Sequence, residues 1–256
     1  MLVILLCLTS LTLGAAEIRT VKLGVILPAN DTYMFSLNRC VPAIRLALDK
    51  VLSLGILQNN IIKFDLNYRD SMCNGVHAPL AAFEFHSKNE ADVFFGPNCD
   101  YSLAPVARYA LYWRIPVITT GGFAQDFAQK FVGVKEYAML TRVGTNFATL
   151  SQFSEHVMTQ QKWRKIKLLW TMDGLDSISS GFCRLAVSGL LDKFSAPNFT
   201  SDSFNIRKPE NLKDSDGINS ASTILKEQVG LDYSGMLGIL PISCWNITSI
   251  IFVLCA

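Results

Sequence analysis

Cysteine, histidine and the small polar side chains are where this chain could carry chemistry. Seven cysteines occur, at Cys7, Cys40, Cys73, Cys99, Cys183, Cys244 and Cys255, and thiols in such number serve as disulfides, metal ligands or nucleophiles. The three histidines, His77, His86 and His156, are spread out and show no i, i+4 pairing with an acid, so zinc is not indicated. Neither a GxSxG nucleophile elbow nor a P-loop is present. The turn Thr119, Thr120, Gly121, Gly122 lacks the glycine spacing that would cradle phosphate. What remains is binding chemistry. Gly96, Pro97, Asn98 and Cys99 form a turn that feeds a helix, whose first N–H groups lack intrahelical acceptors and favour an anion. Three sequons, at Asn30, Asn198 and Asn246, are glycan acceptors if the chain is exported.

Export is the expectation. Residues 1–16, MLVILLCLTSLTLGAA, are an apolar run too short to span a membrane and ending in small residues, the pattern of a secretory leader cleaved near Ala16. Loss of Cys7 with that leader makes the cysteine count even, and an oxidising compartment favours disulfides over metal ligation. Lys and Arg number 23 against 21 Asp and Glu, for a net charge of +2, which excludes a nucleic-acid binder that needs a basic surface. The chain is 50% hydrophobic and 17% charged. At 256 residues it can bury a core without staples. Residues 235–256, GMLGILPISCWNITSIIFVLCA, contain no charge, and 22 residues could cross a bilayer. Pro241, Ser243, Asn246, Thr248 and Ser249 and the lack of a following Lys or Arg count against a span. Membrane attachment through this tail and an abnormal C-terminus from truncation or splicing both stay open.

The elements that must position these groups alternate between β-rich runs and amphipathic stretches. Strands are expected over 21–28, 61–68, 91–96, 115–119 and 139–143, with helices over 41–54, 75–87 and 101–113 between them. A second series follows, with helices over 146–160 and 180–194 and strands over 166–171 and 200–206. Residues 207–217 are polar and loop-like, and 218–229 reads as a last helix. This is the pattern of an α/β fold, a parallel sheet with helices on both faces, in two lobes that change over near residue 145. Two such units in series suggest a clamshell with its ligand at the carboxyl ends of the strands.

The stretch from Tyr68 to Gly122 contains YRDSMC, HAPLAA and VFFGPNCDYSLAPVARYALYWRIPVITTGG. It resembles the extracellular ligand-binding domain of natriuretic peptide receptors and other receptor guanylyl cyclases, the ANF-receptor family. The resemblance rests on Asp70, Ser71, Cys73, Gly96, Pro97, Cys99, Tyr101, Ala104, Pro105, Val106, Arg108, Trp113 and Pro116, with Tyr137, Thr141 and Arg142 further on. It is looser across 145–205 and absent from about Val229 onward. It implies a periplasmic-binding-protein type I-like fold with one complete lobe and a partial second. The organisation expected is a leader over 1–16, a first ligand-binding lobe over 17–144, a partial second lobe over 145–230 and an apolar tail, membrane-spanning or not, over 231–256.

The same resemblance assigns residues. Cys73 and Cys99 match the disulfide of the family's first lobe. Closing that loop of about 26 residues would stabilise the fold by roughly 3–4 kcal/mol in the chain-entropy model. Cys183 matches the first cysteine of a second bridge, for which only Cys244 is on offer as partner, while Cys40 reads as a small buried hydrophobe. Ser71, Asn98 and Cys99 become candidates for a structural chloride, and no other cofactor is implied. Tyr101 and Tyr137 match aromatic peptide-contact positions. After Cys183 this chain has Arg184, Leu185 and Ser188 where the family has aromatic and acidic residues, so a different peptide is allowed for. Arg108 reads as a structural ion pair. The expected function is the ligand-binding region of a peptide-hormone receptor, homodimeric through the first lobe, glycosylated at Asn30 and Asn198, on the extracellular side of the membrane or secreted. A secreted decoy of the same fold and a non-functional truncated isoform are the alternatives. An enzyme using the cleft would need an acid and base pair that is not visible.

Overall fold

The computed structural model describes residues 19–55, 62–128, 135–172, 174–206, 223, 226–228, 235–238 and 252–255. The first lobe is built on β1 (Arg19–Leu27), whose alternation sends Ile26 to one face of the sheet and Val25 and Leu27 to the other. Helix α1 (Leu37–Ser53) covers the second of these faces through Leu37 and Val41, with Cys40 and Ile44 beside them. Strand β2 (Ile62–Asp70) pairs parallel with β1 from Arg19 opposite Ile62 to Leu27 opposite Asp70. Helices α2 (His77–Ser87) and α3 (Asp100–Trp113) share the other face, where Ala78, Ala82, Phe85, Leu103, Val106 and Ala110 are buried. Between them runs β3 (Val93–Phe95), and β4 (Val117–Thr119) and β5 (Leu140–Arg142) complete the sheet.

All five strands are parallel, in the order β2-β1-β3-β4-β5. The order reverses direction at β1, so the loops that leave β1 and β3 diverge. A crevice outside the carboxyl ends of these strands is the expected ligand position for such a sheet. The strand expected from residue 115 begins only at Val117. Arg114 takes a left-handed conformation with φ 57°, and the Ile115 N–H is used to close α3 on the Ala110 carbonyl.

The second lobe comprises α4 (Phe147–Gln160), β6 (Lys165–Trp170), α5 (Phe182–Phe194) and β7 (Thr200–Asn205). Phe147, Met158, Ile166, Leu168, Cys183, Val187, Leu190 and Phe194 form its core. Strands β6 and β7 are parallel, as expected of an α/β unit. Two short strands from the apolar tail, β8 (Gly235–Gly238) and β9 (Phe252–Cys255), add on antiparallel, giving the order β7-β6-β9-β8. The second sheet is therefore mixed: β9 takes up the hydrogen bonds along the side of β6 that β7 leaves open. These two parts of the tail are strands, and among the described residues no helix is long and apolar enough to cross a membrane. The rest of the tail, the leader and most of the helix expected over 218–229 lie outside the described residues.

Candidate ligand-binding junction between the lobes

Three loops meet at the carboxyl ends of the first sheet. The turn after β3 enters α3 through a cis Gly96–Pro97 bond, and Gly96 has φ +87°. A Cβ on Gly96 would fall on the Ile26 carbonyl, and one on Gly121 would fall on the Asn98 carbonyl, so neither position has room for a side chain. Thr119, at the end of β4, donates its hydroxyl to the Pro97 carbonyl at 2.6 Å and accepts the Gly121 N–H at 2.9 Å. The loop after β2 is drawn in by the Ser71 N–H, which donates to the Leu27 carbonyl at 2.9 Å. It is fixed by the Cys73–Cys99 disulfide, with a Cα–Cα distance of 5.5 Å. That bridge joins the cysteines the family resemblance paired.

Ser71, Asn98 and Cys99 come together here, all buried. The Ser71 hydroxyl oxygen accepts the Cys73 N–H at 3.2 Å. Among the described residues, the Ser71 O–H and the Asn98 and Cys99 backbone N–H groups have no protein acceptor. Buried donors in that condition carry a desolvation cost unless something accepts from them. Donors at the start of α3 also lie at the positive end of the helix, an environment that favours negative charge.

One residue further on, Asp100 is only 4% exposed. Its carboxylate accepts the Ala124 N–H at 2.8 Å and the Ser179 hydroxyl at 3.3 Å, while the Asp100 N–H donates to the same Ser179 oxygen at 3.3 Å. Burial pushes this carboxyl up from 3.8 to about 6, against the hydrogen bonds that favour its charge. Arg142 lies near it, half-buried, donating to the Gly122 and Ala124 carbonyls at 2.8 and 3.3 Å. Ser179 belongs to the second lobe, in the loop between β6 and α5. That loop also receives the Asn98 side-chain amide on the Ile178 carbonyl at 3.2 Å and the Met34 N–H on the Ser177 carbonyl at 2.7 Å. Asp100 and residues 177–179 were missed in the sequence reading. A polar DSISS run carries no periodicity that points at a partner some eighty positions away.

The two tyrosines part company. Tyr101 is 48% exposed at the rim of the junction, where the Arg184 guanidinium lies 5.6 Å from its ring centre. Arg184 is one of the residues at which the chain departs from the family pattern, and here it spans the two lobes. Tyr137, expected as an open contact residue, is instead 7% exposed and packs in the first core against Phe127 at 4.8 Å. Arg108 covers its ring at 5.4 Å and pairs with Glu136 at 2.7 Å, the ion pair expected for Arg108. Burial raises the Tyr137 hydroxyl pKa, and an aromatic so enclosed offers no free face. Cys183 is buried at the start of α5, in a place so tight that a Cβ on Gly174 would meet its sulfur. Its expected partner Cys244 lies outside the described residues. Cys40 packs beside α1's buried residues, as a small hydrophobe would. Asn30 and Asn198 are exposed, and Asn246 is outside the described residues.

A parallel sheet in the first lobe and a mixed one in the second, joined over a common junction, define the class: an α/β protein on the two-lobed periplasmic-binding-protein fold. Solved structures similar to it include an ABC transporter substrate-binding protein from Desulfitobacterium hafniense, with TM-score 0.56, 13% identity, and coverage of 81% of this chain and 56% of that one. A periplasmic binding protein from Burkholderia mallei aligns with TM-score 0.56 and 15% identity over 80% of this chain and 51% of that one. At such identity these show the fold alone.

The profile described as receptor family ligand binding region matches residues 39–230, and the chain belongs to that family. Atrial natriuretic peptide receptor 3 of Rattus norvegicus is 28% identical over 207 residues, 77% of this chain and 37% of the relative. The Homo sapiens receptor 3 is 32% identical over 165 residues, 61% of this chain and 29% of the relative. Atrial natriuretic peptide receptor 2 of Mus musculus is 33% identical over 136 residues, 53% and 12% respectively. The chain is thus a ligand-binding region homologous to natriuretic peptide receptors, and it spans about a third of the length of the receptor 3 of Rattus norvegicus.

Proposed function

We propose that this chain is the extracellular part of a peptide-hormone receptor, reached through the secretory pathway and held at the outer face of the membrane or released. The observation that carries the reading is the family match over residues 39–230, together with the disulfide-braced turn of Ser71, Cys73, Asn98 and Cys99. The peptide is met at the rim of the lobe junction, where Tyr101 presents a broad aromatic face with few rotors to freeze. A chloride ion accepts from Ser71, Asn98 and Cys99. Glycans sit on Asn30, whose side chain accepts the Thr32 N–H at 3.0 Å in an exposed turn, and on Asn198.

A second copy of the chain docks on the first lobe through α2 and α3. Phe83, Tyr109 and Trp113 meet on this face with ring centres 4.7 to 5.8 Å apart, and Tyr112 beside them is 84% exposed. A groove of ≈ 580 Å³ lined by Arg69, His77, Leu80, Phe83 and Glu84 continues it. An aromatic surface of this kind on a secreted domain is the composition of an interface.

The test is expression of the whole chain in secretory cells, followed by binding of labelled natriuretic peptides to medium and intact cells, with and without chloride. Saturable binding that weakens without chloride and on Tyr101→Ala is the expected result. A folded, secreted protein that binds none of these peptides in any chloride concentration overturns the natriuretic assignment.

A further inference from the structure

We infer that Asp100 and Ser179 form a proton-coupled latch between the two lobes: the Asp100 carboxyl takes up a proton as the lobes close over it and returns it to solvent as they part. The geometry is reciprocal. Ser179 donates its hydroxyl to one carboxylate oxygen and accepts the Asp100 N–H, both at 3.3 Å, and Ser179 is itself fully buried. Two flanking bonds, from Asn98 to Ile178 and from Met34 to Ser177, hold the same second-lobe loop down on the first lobe. Separation of the lobes would lift the Ser179 loop from the carboxyl, which is 4% exposed beneath it.

Of the charged groups around it, Arg142 attracts the Asp100 carboxylate, and burial outweighs that attraction. From β5, the Arg142 guanidinium also donates to the Gly122 and Ala124 carbonyls. From the second-lobe loop, Asp176 accepts the Gly181 N–H at 2.8 Å, and from α5, Arg184 covers Tyr101. Asp126, at the 3-10 turn Gln125–Ala128, is exposed and acts on Tyr137. The histidines are on α2 and α4, and His77 and His86 make their contacts with Asn74 and Trp113.

The sign follows from burial. A carboxyl whose pKa is about 6 when enclosed and 3.8 when free binds its proton more tightly in the closed form, so acidification favours closure. Those two values make the closed-to-open ratio rise about tenfold between pH 7.4 and pH 5. A peptide that acts by moving the lobes would meet a different resting balance at the two pH values.

Hydrogen–deuterium exchange on the whole chain, at one chloride concentration and corrected for intrinsic rates, reads the latch directly. Backbone protection of residues 174–181 should rise about tenfold from pH 7.4 to pH 5 in the wild type. In Asp100→Asn it should be flat across that range, and in Ser179→Ala it should be lower at both values. Equal protection at both pH values in the wild type, or an unchanged slope in Asp100→Asn, overturns the latch. If the variants do not fold, carbon-13 titration of the wild-type Asp100 carboxyl decides: a midpoint near 4 overturns the latch, and one above 5 supports it.

Discussion

Gly121 and Asp100 show how single residues shape this site. At Gly121 one turn backs directly onto the Asn98 carbonyl, and any Cβ would displace the backbone that presents the Asn98 and Cys99 N–H groups. Gly121→Ala should therefore destabilise the fold by more than about 2 kcal/mol, seen as a lowered urea midpoint. At Asp100 the folded pKa lies above the unfolded value, so its contribution to stability is complete below pH 3.8 and is lost as pH rises through about 6. Asp202, Glu84 and Asp31 run the other way: hydrogen bonds from Lys167, Arg69 and Ser36 lower their pKa values, and their contribution is lost in acid. Stability measured against pH should thus rise from pH 7 towards pH 5 and fall below about pH 4. In Asp100→Asn the rise should be missing. The glycines of this turn were legible in the sequence because tight turns restrict residue type, and the pairing of its cysteines followed from the family resemblance. Ser179 was not, since a buried serine and a surface serine look alike until a partner is placed against them.

Among the elements, α4 carries its own start signal. Asn146 accepts the Thr149 N–H at 3.1 Å while the Thr149 hydroxyl accepts the Asn146 N–H, a reciprocal cap. Asn146→Ala should cost about 1 kcal/mol of unfolding free energy, with the loss confined to the second lobe if the lobes unfold separately in calorimetry. The β2–α2 loop and α3 are tied by the disulfide, and replacing both Cys73 and Cys99 by Ser should lower stability by about 2–4 kcal/mol under non-reducing conditions. Element types along residues 19–206 were readable from periodicity, because buried faces impose a repeat of two on strands and 3.6 on helices. The uncharged tail gave no such repeat. Its length alone suggested a membrane span, whereas one four-residue piece of it, β9, pairs with β6 and another, β8, pairs with β9.

For the molecule as a whole, the exposed α2–α3 aromatics make a surface prediction separate from the core. Tyr112→Glu should leave the unfolding midpoint unchanged, since the side chain is open to solvent, and should shift the chain from dimer to monomer in analytical ultracentrifugation. Residue periodicity was enough for the α/β class, and the resemblance carried by residues 68–122 was enough for the family and for the bridge between Cys73 and Cys99. The class is written in local periodicity, because buried faces impose a repeat on each element, while the family and its bridge are written in residues shared with relatives. Only the tertiary structure decided that Tyr137 is core while Tyr101 faces the rim, that Arg184 reaches across to it, and that Asp100 meets Ser179. Burial and charge environment belong to pairs of distant segments, and a carboxyl's pKa depends on what the fold lays over it.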